Sequence, residues 1–107
     1  MASVGAAIGA GASEGGYGTP ADFGGHDIGR QMHEDPAVPN RGRPGRGLPL
    51  RPGLALAIEP MFVQDGVGRY RIAADGWTLR SRSGARAAHA EHTVAVTGAG
   101  PRVLTLP

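Results

Sequence analysis

Large apolar residues alternate with small or polar ones over much of the second half of the chain, a pattern typical of half-buried β-strands. In residues 54–60 every second residue from Leu54 to Ile58 is large and apolar, and the residues between them are small. Glu59 then falls on the opposite face from the apolar stripe. Residues 88–97 predict the longest strand, and residues 103–106 predict a short last one.

A hairpin is predicted between these two strand regions. Residues 69–73 and 76–80 have strand-like composition and are separated by Asp75-Gly76, a dipeptide favoured in tight turns. Together with the neighbouring strands, this hairpin predicts a mostly antiparallel sheet.

The first half of the chain is less regular. Residues 4–14 place apolar side chains at helical spacing, so a short helix is expected there, ended by Gly15-Gly16. The helix starts almost at Met1 without a convincing cap, as expected of a chain that begins inside a larger architecture. Residues 17–23 are expected to be extended, and residues 24–47, which are rich in Gly, Pro and Arg, to form a long loop.

The predicted fold class is therefore α+β, with one N-terminal helix and a mostly antiparallel sheet in a single partial domain over residues 1–107. The absence of Cys excludes disulfides and thiolate metal sites. No segment approaches the ~20 apolar residues of a membrane span, and no secretory signal is recognisable. A cytoplasmic protein without a membrane partner is expected.

The basic residues are all arginines, and five of them lie between Arg30 and Arg51. Such a run is compatible with a nucleic-acid patch or with a solvated loop. We favour the loop, because the segment lacks the interleaved aromatic residues on which bases would stack. Nucleic acid is therefore not an expected partner.

Two carboxylates stand in otherwise apolar strands. Glu59 and Glu91 would each cost several kcal/mol if they were buried without a partner. Taken alone, each is a strand residue that reaches solvent. Two of them in one small sheet, together with His26 between glycines and with His33, favour a metal site. Imidazole and carboxylate ligands suit Zn, Mn, Fe or Co, and the sequence does not choose among them.

These residues stand in an order that resembles the methionine aminopeptidases. The run GGHDIGRQMHEDPAVPN at 24–40 is similar to the family signature GHGIGRxxHExPxVPN, and LRPGLALAIEPM, DGWTLR and AEHTVAVT resemble later family motifs. Met61 and His92 favour the methionine-specific branch over prolidases and aminopeptidase P, and the short spacing favours type I. The resemblance implies the C-terminal half of a pita-bread fold.

What the resemblance implies is a two-metal hydrolase that removes the N-terminal methionine of peptides and nascent proteins. His26, Glu59 and Glu91 would be metal ligands, and Glu59 would also help to move protons. His33 would contact the scissile amide as a catalytic residue. Trp77 and Met32 would help to wall the pocket for the methionine side chain.

The sequence departs from the family in its set of metal ligands and at positions 27 and 89. The first half of the family enzyme supplies two Asp ligands and another active-site His, so one ion or none is expected here, with weak or no activity of the chain alone. A complementing N-terminal half is a candidate partner. The alternative is a non-catalytic remnant or partner-binding fragment. Asp27 replaces a family Gly, and His89 replaces a Gln. His89 could be a further ligand, but a hydrogen bond to a ligand is the preferred reading.

Overall fold

The computed structural model describes residues 1–107 as one helix and nine strands. The elements are α1 (Ala2–Gly15), β1 (Gly24–Asp27), β2 (Glu34–Pro39), β3 (Ala55–Ile58), β4 (Met61–Val63), β5 (Tyr70–Ile72), β6 (Leu79–Ser81), β7 (Ala87–His89), β8 (His92–Thr97) and β9 (Gly100–Val103). The largest sheet has the order β2-β1-β3-β8-β9, and two-stranded sheets are formed by β4-β7 and β5-β6. Every pairing is antiparallel, which confirms the predicted α+β class.

The helix ends where glycine permits a left-handed turn. Gly16 has a φ of 74°, and the backbone N–H of Tyr17 donates to the carbonyl of Ala12 at 2.8 Å. This is the C-terminal cap that glycine favours. The predicted helix over residues 4–14 is confirmed, with slightly wider bounds and no side-chain cap at its start. It is the only helix, and with 14 residues it lacks the length of a membrane-spanning helix.

The core lies between the helix and the five-stranded sheet. Met1, Val38 and Leu56 form its buried centre, and Leu54 and Ile58 pack against them. The apolar face predicted for residues 54–60 is therefore the face that packs against the core. This places β3 at the centre of the sheet with its carboxyl end leading directly to Glu59.

The prediction of a loop over residues 24–47 is wrong in part, because β1 and β2 fall within it. Their Gly and Pro content is typical of loops, but β1 pairs with β2 on one side and β3 on the other. Pairing on both sides outweighs a weak local preference for strand. Proline is tolerated in β2 because this strand lies at the edge of the sheet.

The two long predicted strands are each interrupted. Residues 54–60 give β3 only as far as Ile58, and residues 88–97 give β7 and β8 on either side of Ala90 and Glu91. The interruptions face each other, because β3 pairs with β8 and β4 pairs with β7. Pro60 has no N–H to donate, so the ladder loses a hydrogen bond there, although the Pro60 carbonyl accepts one from the backbone N–H of Ala90 at 3.2 Å. Both breaks lie at the predicted metal-binding carboxylates.

The chain terminus also differs from the prediction. The last strand is Gly100–Val103 rather than 103–106. The backbone N–H of Leu104 still donates to the carbonyl of Thr93, but the N–H of Thr93 donates to the hydroxyl of Thr105 at 3.1 Å, so a side chain replaces the backbone acceptor and the ladder ends.

The predicted hairpin is present as β5 and β6. Asp75 forms its turn by accepting hydrogen bonds from the backbone N–H groups of Trp77 and Thr78 at 2.9 and 2.8 Å. Gly76 supplies the left-handed φ of 73° that the turn needs.

Replacing Gly25 by alanine is expected to destabilise the protein by about 2 kcal/mol, within the range for overpacking. A Cβ at this position would collide with the carbonyl oxygen of Ala57 in β3 and would lie 3.3 Å from the Cβ of Val38. The matched control is Gly11→Ala in α1, where a Cβ meets nothing within 4 Å. That change is expected to stabilise the protein by roughly 0.5–1 kcal/mol. Chemical denaturation measures both, and equal stability of the two variants would contradict the close β1–β3 approach.

Candidate metal centre

The candidate ligands lie on three neighbouring strands of the large sheet. His26 is in β1, Glu59 follows β3 and Glu91 precedes β8. His26 is opposite Ala57, and Ile58 is opposite His92. His26 thus pairs with β3 directly, whereas Glu59 and Glu91 each lie one residue beyond the Ile58–His92 pair. Sheet register thus brings together residues that are far apart in sequence.

The ligand atoms of these three residues come close enough to share one ion. One atom from each of His26, Glu59 and Glu91 lies within 4.8 Å of the other two. His26 Nε2 is 3.2 Å from Glu59 Oε1, and these side chains are 14% and 21% exposed. Glu91 is exposed. The centre is therefore half-buried and open on the side of Glu91.

The contacts of His26 show that the site fits a cation. Its Nδ1 is 3.0 Å from the carbonyl oxygen of Asp27, and a carbonyl can only accept, so Nδ1 carries a hydrogen. Nε2 then faces a carboxylate oxygen, and either a second proton or a cation must separate the two. Two ligand atoms bound at about 2.1 Å to a shared tetrahedral cation are about 3.4 Å apart, close to the 3.2 Å between His26 Nε2 and Glu59 Oε1.

His89 contacts the other oxygen of the same carboxylate. Its Nε2 is 3.3 Å from Glu59 Oε2, and its side chain is 42% exposed. It is the last residue of β7, opposite Met61 of β4. Glu59 is thus held between two imidazoles, one at each oxygen.

His33 lies beside the centre. Its ring is stacked at a tilt against the ring of His26, with 4.2 Å between the centroids. A cleft of about 300 Å³ opens along both rings and along Glu34 and Asp35. A substrate group in this cleft would have an imidazole N–H within reach.

Met32 and Trp77 are not brought to the centre by contacts within this chain. Met32 is 72% exposed. Trp77 is 88% exposed and lies in the β5–β6 hairpin. Their assignment to a substrate pocket stays a prediction.

Asp27 fits its position without backbone strain, because no residue other than glycine has a positive φ. The register between β1 and β2 shifts between His26 and Asp27. Asp27 Oδ1 accepts a hydrogen bond from the backbone N–H of Ile28 at 2.9 Å. Replacement of the family Gly therefore leaves the loop in an ordinary conformation.

Asn40 is a buried residue near the centre that the sequence reasoning missed. It is 3% exposed, and its Nδ2 donates to the carbonyls of Phe23 at 3.3 Å and Glu59 at 3.5 Å. It thus connects the segment before β1 with Glu59, the candidate ligand that follows β3. The sequence did contain a signal for Asn40, because it directly follows Val38-Pro39 at the end of the motif at 24–40.

Comparison with known proteins identifies the family. Residues 1–98 match the profile of Metallopeptidase family M24. The chain belongs to this family. It is 56% identical to methionine aminopeptidase 1 of Mycobacterium tuberculosis over 90 residues, 84% of this chain and 34% of that protein. It is 42% identical to methionine aminopeptidase B of Synechocystis over 106 residues, 99% of this chain and 38% of that protein.

Solved structures also support the assignment of this chain to the M24 family. The crystal structure of methionine aminopeptidase from Thermotoga maritima matches with a TM-score of 0.93 at 42% identity, over 99% of this chain and 42% of that one. The corresponding structure from Rickettsia prowazekii matches with a TM-score of 0.92 at 37% identity, over 98% and 42%. The predicted resemblance is confirmed, and the chain spans between a third and a half of the length of these relatives.

Proposed function

We propose that this chain carries part of the catalytic centre of a cytoplasmic type I methionine aminopeptidase, acting on the N-terminal methionine of peptides and nascent proteins. The observation that carries the proposal is the cluster of His26, Glu59 and Glu91 within a chain of the M24 family. The relatives are named for this activity, and the motifs that hold the cluster are those of the resemblance.

In this proposal the three side chains would hold one divalent ion, of Co, Mn, Fe or Zn, and leave room for water. A bound divalent ion lowers the pKa of water and supplies hydroxide near neutral pH. Three protein ligands and an open position are the usual arrangement of a catalytic mononuclear site. A second ion would need the two Asp ligands that the family places in its first half.

The remaining roles belong to groups around the ion. Glu59 takes the proton that leaves the attacking water, and His89 holds the Glu59 carboxylate through Oε2. His33 donates to the carbonyl oxygen of the scissile amide, where negative charge develops. Met32 and Trp77 complete the methionine pocket once another chain segment covers them.

Hydrolysis of a Met-Ala-Ser peptide with added Mn²⁺ tests the proposal. The chain alone is expected to show little or no turnover, since it provides ligands for one ion. Mixing it with a polypeptide made of the part of the Thermotoga maritima enzyme that it does not match is expected to give turnover. Glu59→Ala should abolish this turnover, whereas Glu14→Ala on the exposed helix face should not.

Two results would count against the proposal in different ways. Robust turnover by the chain alone would contradict the need for further ligands. Metal binding without turnover in the mixture would be consistent with the ion site but would contradict complementation by the added polypeptide.

A further inference from the structure

Glu91 is the least restrained of the three candidate ligands. His26 and Glu59 are partly buried and contact each other, whereas Glu91 is exposed and takes part in neither ion pair of the structure. It also lies outside the ladder, in the break between β7 and β8. A ligand that is already held near its bound position loses less conformational entropy when it binds an ion. The groups that restrain the backbone beside Glu91 therefore contribute to metal affinity.

On one side, the backbone around Glu91 is held by β3 and the residues that follow it. The backbone N–H of Ala90, just before Glu91, donates to the carbonyl of Pro60 at 3.2 Å. His92, just after Glu91, is opposite Ile58 at the start of β8. Both neighbours of Glu91 are thus attached on this side.

On its other side, the start of β8 is held by two residues that follow β9. The backbone N–H of Leu104 donates to the carbonyl of Thr93 at 2.8 Å, and the N–H of Thr93 donates to Thr105 Oγ1 at 3.1 Å. The same hydroxyl oxygen is 2.8 Å from Nδ1 of His92. This contact suits either tautomer of the ring, because a hydroxyl can donate as well as accept. One hydroxyl therefore holds the first two residues of β8.

The register of β8 with β9 explains why Thr105 reaches this position. Val94 is opposite Val103, and the same register continued by two residues places Thr105 opposite His92. Side chains that are directly opposite each other on antiparallel strands lie within contact distance on one face. The hydroxyl thus takes over from the backbone ladder at the point where the chain connects β8 with Glu91.

We propose that Thr105 is a positioning residue of the candidate metal centre: its hydroxyl fixes the start of β8 and thereby directs Glu91 at the ion. The inference rests on the proposed function, because it needs the ion that the three ligands would share. Thr105 acts through the backbone and the ring of His92 rather than by touching the ion. Loss of a group that orients a metal ligand costs about 10–100-fold in affinity, and the low end of this range is expected for an indirect contact.

Calorimetric titration of the 107-residue chain with Mn²⁺ tests the inference. Thr105→Val and Thr105→Ala both remove the hydroxyl and are expected to weaken binding about 10-fold. Thr105→Ser keeps the hydroxyl and is expected to bind with nearly wild-type affinity. The matched control is Thr97→Val at the other end of the same strand pair, where Thr97 Oγ1 donates to the carbonyl of Gly100 at 2.6 Å and accepts from the N–H of Ala99 at 3.2 Å. The control is expected to bind as the wild type does.

The outcomes separate this inference from the proposed function. Thermal unfolding of every variant sets a temperature at which all are folded, and the titrations are made there. Wild-type affinity in Thr105→Val and Thr105→Ala would overturn the inference while the wild-type chain still bound its ion. An equal loss in Thr97→Val, or no recovery in Thr105→Ser, would also overturn it, because the effect would then be one of general hairpin stability. Absence of Mn²⁺ binding by the wild-type chain would contradict the proposed ion site, and the inference with it.

Discussion

Replacing Glu59 by alanine is expected to remove the binding of a divalent cation. Removing the hydrogen-bond partner of a metal ligand costs about 10–100-fold in affinity. The loss should be larger here, because Glu59 is proposed to bind the ion directly. Its Oε1 is 3.2 Å from His26 and its Oε2 is 3.3 Å from His89. Its removal therefore takes away the carboxylate that both imidazoles contact. Calorimetric titration with Mn²⁺ measures the effect.

Glu14→Ala is the control for this change, because Glu14 is an exposed carboxylate on the helix. It alters the net charge equally but leaves the cluster intact, so wild-type affinity is expected. If both variants lost affinity to the same degree, the ion would be bound by general charge rather than by the cluster.

Replacing His89 by alanine is expected to lower metal affinity about 10–100-fold, the usual cost of losing a partner that orients a metal ligand. The contact between His89 Nε2 and Glu59 Oε2 is the physical reason, since it leaves Oε1 directed at the ion. The measurement is the same Mn²⁺ titration, accompanied by thermal unfolding.

His89→Gln separates this role from packing. A glutamine amide can donate to Oε2, and Gln is the residue that the family resemblance places at this position, so most of the affinity should return. The melting temperature should change little in either variant, because the His89 side chain is 42% exposed. Affinity lost equally with Gln and with Ala would show that His89 does not act through a hydrogen bond.

The three candidate ligands could be proposed from the sequence because they stand in short motifs. His26 and Glu91 each belong to a run whose residue types suit metal binding, and Glu59 interrupts an apolar strand. A carboxylate in that position needs a partner. The sequence pattern therefore indicated these candidates, and the structure shows that their side chains lie close together.

The interrupted strands were not predictable from periodicity alone. Alternation continues through residues 54–60 and 88–97, yet both ladders break at Pro60 and opposite it at Ala90-Glu91. A single proline signals a break in its own strand, but which residues face that break depends on pairing between strands distant in sequence. Likewise, the loop prediction for residues 24–47 followed composition, whereas the position of β1 between β2 and β3 decided its structure.

The number of ions bound by the chain tests the central claim most directly. Titration of the 107-residue protein with Mn²⁺ is expected to give one ion per chain, held by His26, Glu59 and Glu91, and no measurable binding to Glu59→Ala. Two tightly bound ions per chain, or an unchanged affinity in Glu59→Ala, would contradict it.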